Sequence, residues 1–372
     1  MIDNKMLIFF PRPLNINAGG PSGFLAHNLS DKPRDCFVLS NDLMSKETFF
    51  EKQLYRIRRW IDKLNNPTDN HKEYFKIRDS FKKINASQYK YIYFHEDIDF
   101  YCVQDLIDKE QIVIYQPHTP QLHSEEFACY APEHVEKINM IKKAEKAVFE
   151  RADIVVLPNE YCQPIYQTLI SPKNTFYYLL SGAKNNYDKP SSMIDLPQST
   201  INLMYIGRRN EIKGFDIILD NFRKARKTRK DIHLFIIGNG EKIEEEGITD
   251  IGFSDKPLDW YHSVDYLLNA NRQSYFDLSI IEALSTGVPI IMSHNFGHYY
   301  YQNKSPLITT YDITQPDALY RILNENLTKR DRTIHANREL YEQELTDVHY
   351  HIRLQQFFQY LNTFQSMNNH DE

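Results

Sequence analysis

The sequence predicts an α/β protein made of two parallel, doubly wound halves. Three observations carry that prediction. Short apolar runs alternate with helix-like runs almost throughout the chain, the rhythm of βαβ units and a parallel sheet. A stretch rich in Asn, Ser and Pro, "KNNYDKPSSMIDLPQST" at 184–200, interrupts the rhythm and lacks helical period, as a linker does. The alternation then resumes, and 372 residues favour two domains over one.

The elements follow in order. Residues 6–10 form an apolar run leading into a Pro/Asn/Gly loop, and 35–40 form another. Residues 46–64 and 72–84 have helical period and are separated by "NNPTDN". Strand-like runs at 89–94 and 111–116, a helix over 133–151 and a strand at 154–157 complete the first half. After the linker come a strand at 201–206, a helix over 214–228, a strand at 233–237, shorter elements, a helix at 278–284, a strand at 288–292 and a last helix over 346–365. Two such halves place a ligand near strand carboxyl ends, in the cleft between them.

Composition excludes several classes. A net charge of -6 is no basic excess, so nucleic acid is not an expected partner. The N-terminus lacks a basic n-region and an apolar h-region, and no apolar run reaches transmembrane length. Cys36, Cys102, Cys129 and Cys162 form no C-x-x-C pair, so neither a zinc site nor a disulfide framework is indicated. The expected setting is a reducing cytoplasm.

Three motifs have chemical content. "NAGGPSG", 17–23, follows the first strand and precedes a helix expected from Phe24. Its glycines let backbone N–H groups approach an anion, or they make a flexible βα turn. "YIGRRNEIKGFD", 205–216, runs from strand to loop to helix. Arg208 and Lys213 suit a diphosphate there, the Arg by its fork and the Lys as a point charge; the alternative is a solvated basic loop. "SYFDLSIIEALSTGVPII", 274–291, is an aromatic turn opening a helix. The free N–H groups of that helix can meet phosphate or sugar oxygens. Glu282, one turn in, either accepts from the hydroxyls of a ribose or simply complements the helix dipole.

These residues carry a resemblance. "YIGRRNEIKGFDIIL", "LFIIGNGE" and "SYFDLSIIEALSTGVPII" resemble, in order and spacing, the retaining glycosyltransferases of family 4, the group 1 enzymes with the GT-B fold. Over the first half "NAGGPSGFLAHNL", "IVIYQPHTP", "ERADIVVLPNEY" and "YYLLSGAK" are similar to weaker versions of the family's landmarks. The resemblance implies two Rossmann-like domains facing an interdomain cleft. It divides the chain into an acceptor-binding domain over 1–184, a linker over 185–200 and a nucleotide-sugar domain over 201–345. A C-terminal helix at 346–372 is expected to pack back on the first domain.

It also implies roles. Arg208 and Lys213 match the residues that hold the donor's diphosphate, and Glu282 matches the second Glu of a Glu-x7-Glu motif that grips the ribose. The backbone of Phe276, Asp277, Leu278 and Ser279 matches the turn against the phosphates and donor sugar. Gly19 and Gly20 match a glycine loop facing the diphosphate, and His118 matches a histidine near donor sugar and acceptor. The sequence departs from the family at two places: Ser274 stands where the first Glu of that motif belongs, and Asp277 replaces the usual Gly after Phe276. A hydroxyl reaches less far than a carboxylate and carries no charge. Either the donor differs, or Asp277 or a water supplies the acceptor, or activity is reduced.

The expected reaction is retaining transfer of a hexose-type sugar from a nucleotide diphosphate sugar, UDP-linked, to a glycan or lipid-linked glycan acceptor. The leaving diphosphate would be stabilised by Arg208, Lys213 and the helix N-terminus. No cofactor or metal is implied. "HEDID", 95–99, lies in the wrong domain for an Asp-x-Asp metal site, and Thr119 and Pro120 separate His118 from His123. His294 and His298 bracket Gly297 in a loop after a strand and either touch substrate or, as is commoner for loop histidines, are solvated. The basic amphipathic stretch 49–64 is either a core-facing helix with a solvated face or a peripheral contact with an anionic membrane. "RKARKTRK", 223–230, is read as a solvated helix end. Competing functions are transfer to a protein hydroxyl and a non-catalytic homologue that binds nucleotide sugar beside another transferase. Oligomeric state is open.

Overall fold

The computed structural model describes residues 3–44, 53, 55, 56, 58–60, 63, 71–184, 192–325 and 327–368. The basic amphipathic stretch 49–64 lies largely outside the described residues, and so does 185–191 of the linker. The chain divides into two compact units. Unit 1 comprises Met1–Leu157, Ile165–Leu179 and Arg353–Glu372; unit 2 comprises Pro158–Pro164 and Leu180–Ile352.

Unit 1 is built on six parallel strands: β1 (Asp3–Phe9), β2 (Phe37–Leu39), β3 (Tyr89–Phe94), β4 (Ile112–Tyr115), β5 (Ile154–Leu157) and β6 (Thr175–Tyr178), in the order β2-β1-β3-β4-β5-β6. Its central strands are buried without alternation, from Met6, Leu7, Ile8 and Phe9 to Ile154, Val155, Val156 and Leu157. Helices covering both faces of a parallel sheet produce that pattern. Neighbouring strands run in register, with Ile8 beside Tyr93 and Phe94 beside Tyr115. The loops after β1, β3 and β4 therefore open at one edge of the sheet. Within this unit Tyr91 donates from its hydroxyl to the carbonyl of Leu361, at 3.3 Å.

Unit 2 repeats the plan with β7 (Ile201–Ile206), β8 (Ile232–Ile237), β9 (Ile248–Gly252), β10 (Tyr266–Asn269), β11 (Ile290–Ser293) and β12 (Ile308–Tyr311), in the order β12-β11-β10-β7-β8-β9. Read from β9, this is the dinucleotide-fold order, and its direction reverses between β7 and β10. The helix Phe215–Arg226 buries Ile218, Leu219, Phe222 and Ala225 against the sheet. Its basic end is not merely solvated: Arg223, Lys224, Arg226 and Arg229 pair with Glu245, Asp317, Glu246 and Asp231.

Two expected boundaries move. The first helix starts at Gly20, not Phe24, with Gly19 as its N-cap. The strand expected from Val288 starts at Ile290, after Pro289, which has no N–H for the ladder. β6, β9 and β12 carry weak strand patterns because they are sheet edges with half-exposed faces. The second half of the linker is docked: the Ile194 amide donates to Ser263 Oγ at 2.8 Å, and Leu196 is buried. Among the described residues no helix is long and apolar enough to cross a membrane.

Candidate functional site

In unit 2 the loops leaving β7 and β10 meet where the strand order reverses, the place where open α/β sheets bind ligands. β7 delivers an exposed Arg208 and a half-buried Lys213. The Arg272 amide donates to the carbonyl of Ile212 at 2.8 Å, tying the two loops together. Gly214, at φ +61°, lies so close to β10 that a Cβ would come 1.9 Å from the carbonyl oxygen of Ala270. Only glycine permits that approach, and it places Lys213 against the turn after β10.

That turn centres on Asp277, the N-cap of the helix Leu278–Ser285. An Asp at this position normally accepts from its own helix, but here the side chain makes no cap bond. Instead Oδ1 accepts from Lys213 Nζ at 2.6 Å, and Oδ2 accepts from Asn271 Nδ2 at 2.8 Å. His298 Nε2 lies 3.0 Å from Oδ2. Burial alone would raise the Asp277 carboxyl; the charge of Lys213, with His298, holds it well below the usual carboxylate range. An ionised carboxylate offers no proton, so His298 Nε2 is the donor. His298 Nδ1 lies 2.9 Å from Ser274 Oγ and 3.2 Å from the carbonyl of Ser293.

His298 is fully buried, which corrects its reading as a solvated loop residue. Ser274 is also fully buried, with its hydroxyl on His298. Phe276 is buried and stacks on Tyr301, with centroids 5.2 Å apart and planes at 7°. A Cβ at Gly297 would lie 1.4 Å from the carbonyl oxygen of Tyr275, so the turn's backbone rests on that glycine. Leu278, Ser279 and Glu282 are half-buried on the helix. The Tyr261 hydroxyl is pushed up by burial and by the charges of Glu282 and Asp277, which places both carboxylates in its neighbourhood.

Unit 1 holds the other predicted residues at the carboxyl ends of β1 and β4. Gly19 and Gly20 are exposed, and an added Cβ at either would meet nothing within 4 Å. His118 Nε2 lies 2.8 Å from His95 Nδ1, and Phe24 packs 4.7 Å from the His118 ring. Loss of hydration lowers His118 to about 3 and holds His95 well below the usual range, so both rings are neutral at pH 7.

Beside them lies a charged group formed by residues of 95–99 and His123, which the sequence offered only as metal ligands, together with Arg12, which it did not single out. Arg12 pairs with the buried Asp99 at 2.7 Å, and His123 Nδ1 lies 3.0 Å from both oxygens of Asp97. Burial raises Glu96 to about 7 and Asp99 to about 6. Burial would lower His123, but Asp97 holds it up to about 9. Glu96, Asp97 and His123 offer ligand atoms within 4.8 Å of one another. Within this group His123 and Asp97 form an ion pair at 3.0 Å.

The structure thus brings Lys213 and Asp277 into contact and gathers Ser274, Phe276, Leu278, Ser279 and Glu282 on the adjoining turn and helix, with Arg208 at the end of β7. Gly19, Gly20 and His118 belong to the other unit. The additions are Asn271 and His298 in unit 2 and His95 in unit 1. His298 lies 21 residues from Asp277, a separation that no local pattern exposes.

Residues 200–323 match the family model described as glycosyl transferases group 1. A lipopolysaccharide 1,2-N-acetylglucosaminetransferase of Salmonella typhimurium is 22% identical over 229 residues, covering 54% of this chain and 55% of that protein. The matched region therefore spans about half the length of that relative. Sucrose-phosphate synthase of Thermosynechococcus elongatus superposes with a TM-score of 0.65 at 15% identity, over 96% of this chain and 99% of that one. HepE of Anabaena, solved with UDP-glucose, superposes with a TM-score of 0.63 at 15% identity and the same coverage. The fold is that of the two-domain GT-B glycosyltransferases.

Proposed function

Residues 200–323 carry a group 1 glycosyl transferase domain, and from that premise we propose that the chain transfers a hexose-type sugar from a nucleotide diphosphate sugar to a glycan or lipid-linked glycan acceptor in cell-surface polysaccharide synthesis. The donor domain is 201–345 and the acceptor domain is 1–184, in which Gly19 and Gly20 are assigned to the donor's diphosphate and His118 to the donor sugar and acceptor.

One arrangement supports the donor half. At the strand-order reversal of unit 2, Lys213 meets the N-cap of a helix whose N-cap side chain makes no bond to its own first-turn amides, and Arg208 stands exposed after β7. Those amides and the two cations suit the leaving diphosphate, whose charge grows as the glycosidic bond breaks. Glu282 takes the ribose hydroxyls. Departure and attack on one face, through an oxocarbenium-like state, retain the anomeric configuration. Cationic side chains neutralise the diphosphate, so no step requires a metal ion. The UDP-glucose bound by HepE favours UDP, and the lipopolysaccharide activity of the Salmonella relative favours a cell-surface glycan.

The test is a thermal-shift panel of UDP, GDP, ADP and their sugar conjugates. One nucleotide should raise Tm in proportion to its saturation, and Lys213→Ala and Glu282→Ala should each reduce that rise. If no nucleotide stabilises the protein, the reading fails. The full burial of Ser274 favours a second reading, a nucleotide-sugar-binding homologue without turnover. Donor binding without nucleotide release, with or without acceptor, would establish it.

A further inference from the structure

We propose that Asp277 is a built-in counter-anion: it holds Lys213 while no nucleotide is bound, and an incoming diphosphate must take that ammonium from it. Asp277 therefore sets nucleotide affinity. The inference rests on Lys213 being a diphosphate ligand.

The geometry assigns this role in three ways. Asp277 gives up the N-cap bond that its position offers and turns to Lys213, at 2.6 Å. Its other oxygen is fixed by Asn271 and His298, so the carboxylate stays in place when Lys213 moves. Its side chain is 12% exposed and that of Lys213 is 19% exposed, so water screens the pair poorly and the attraction is strong. Among the predicted donor residues of unit 2, Arg208 and Lys213 are cationic while Asp277 and Glu282 are anionic. Their formal charges cancel, so a diphosphate enters a site with no net positive charge. Asp277 lies against the ammonium that would bind it.

Asn at 277 is nearly isosteric and removes the charge. Its oxygen still accepts from Lys213, and its amide can donate to His298 Nε2 once that ring carries its proton on Nδ1, facing the Ser293 carbonyl. Ser at 277 is a second uncharged choice and a favoured N-cap.

The experiment measures UDP, GDP and inorganic pyrophosphate binding by calorimetry to wild type, Asp277→Asn, Asp277→Ser, Lys213→Met and the double variant Lys213→Met/Asp277→Asn. Asp277→Asn should bind its nucleotide roughly tenfold more tightly than wild type, with pyrophosphate gaining as well. Lys213→Met should erase the gain, because Asp277 acts through that ammonium. If Asp277→Asn fails to fold, Asp277→Ser carries the same expectation. Wild-type binding with equal or weaker binding by the uncharged variants overturns the counter-anion and leaves the nucleotide reading standing. Absence of binding in every protein overturns both.

Discussion

His298 and Asp277, 21 residues apart, are joined at 3.0 Å, and the imidazole is fully buried between the carboxylate and the Ser274 hydroxyl. Lys213, Asp277, His298 and Ser274 thus form one hydrogen-bonded chain running from the half-exposed ammonium into the core. Ser274 occupies the position where the family resemblance places an acid, and its hydroxyl has gone inward to orient a ring.

That orientation makes Ser274 intolerant of the missing acid. Ser274→Glu should destabilise the fold by about 3 kcal/mol or more, since it buries an unpaired carboxylate beside an ionised one. Ser274→Ala should cost about 1 kcal/mol, the loss of one buried hydrogen bond. Urea unfolding at neutral pH measures both, and similar costs for the two would show that the site has room for the longer side chain.

Adjacent arginines should separate cleanly. The Arg209 side chain is 6% exposed; it pairs with Asp250 and donates to the carbonyls of Gly238 and Glu241, each at 2.7 Å. Arg209→Ala leaves a buried carboxylate unpaired and should cost about 3–5 kcal/mol. Arg208 is exposed, so Arg208→Ala should leave unfolding nearly unchanged while weakening nucleotide binding. The reverse pattern would assign the phosphate contact to the wrong residue.

Gly297→Ala should disable the donor turn from beneath. A Cβ there would overlap the Tyr275 carbonyl, so the backbone carrying Phe276 and Asp277 must shift. The expected result is a loss of about 2–3 kcal/mol of stability, as for other overpacked sites, together with loss of nucleotide-dependent stabilisation. Calorimetric Tm with and without nucleotide reads both.

The cluster in unit 1 predicts alkaline sensitivity. His123 is raised to about 9 by Asp97 against an ordinary value of 6.5. The folded protein keeps a proton that the unfolded chain releases, so the contribution is complete below pH 6.5 and is lost as pH rises through 9. Wild type should therefore lose stability relative to His123→Gln between pH 6.5 and 9.5. A constant difference across that range would show that the ion pair does not titrate with folding.

Much of the fold is legible along the chain because parallel strands buried on both faces must be continuously apolar. β3, β5 and β7 occupy 89–94, 154–157 and 201–206, where their apolar runs stand. The edges β6, β9 and β12 are not legible, because one face of each meets solvent and the pattern dissolves. Glycines and cations at strand-to-helix transitions marked the site loops, since only those residue types suit close backbone approach and anions.

What local pattern could not contain is which groups neutralise one another. Lys213 and Asp277 are 64 residues apart, and His95 and His118 are 23 apart; each pair meets because parallel strands bring their carboxyl ends to one edge. Residue types and order were enough for the α/β halves and for the loops that meet at the strand-order reversal. The placement of Ser274 in the core, the identity of His298 as its partner and the charge held against Lys213 follow from strand order and burial, which exist only once the sheet has closed around them.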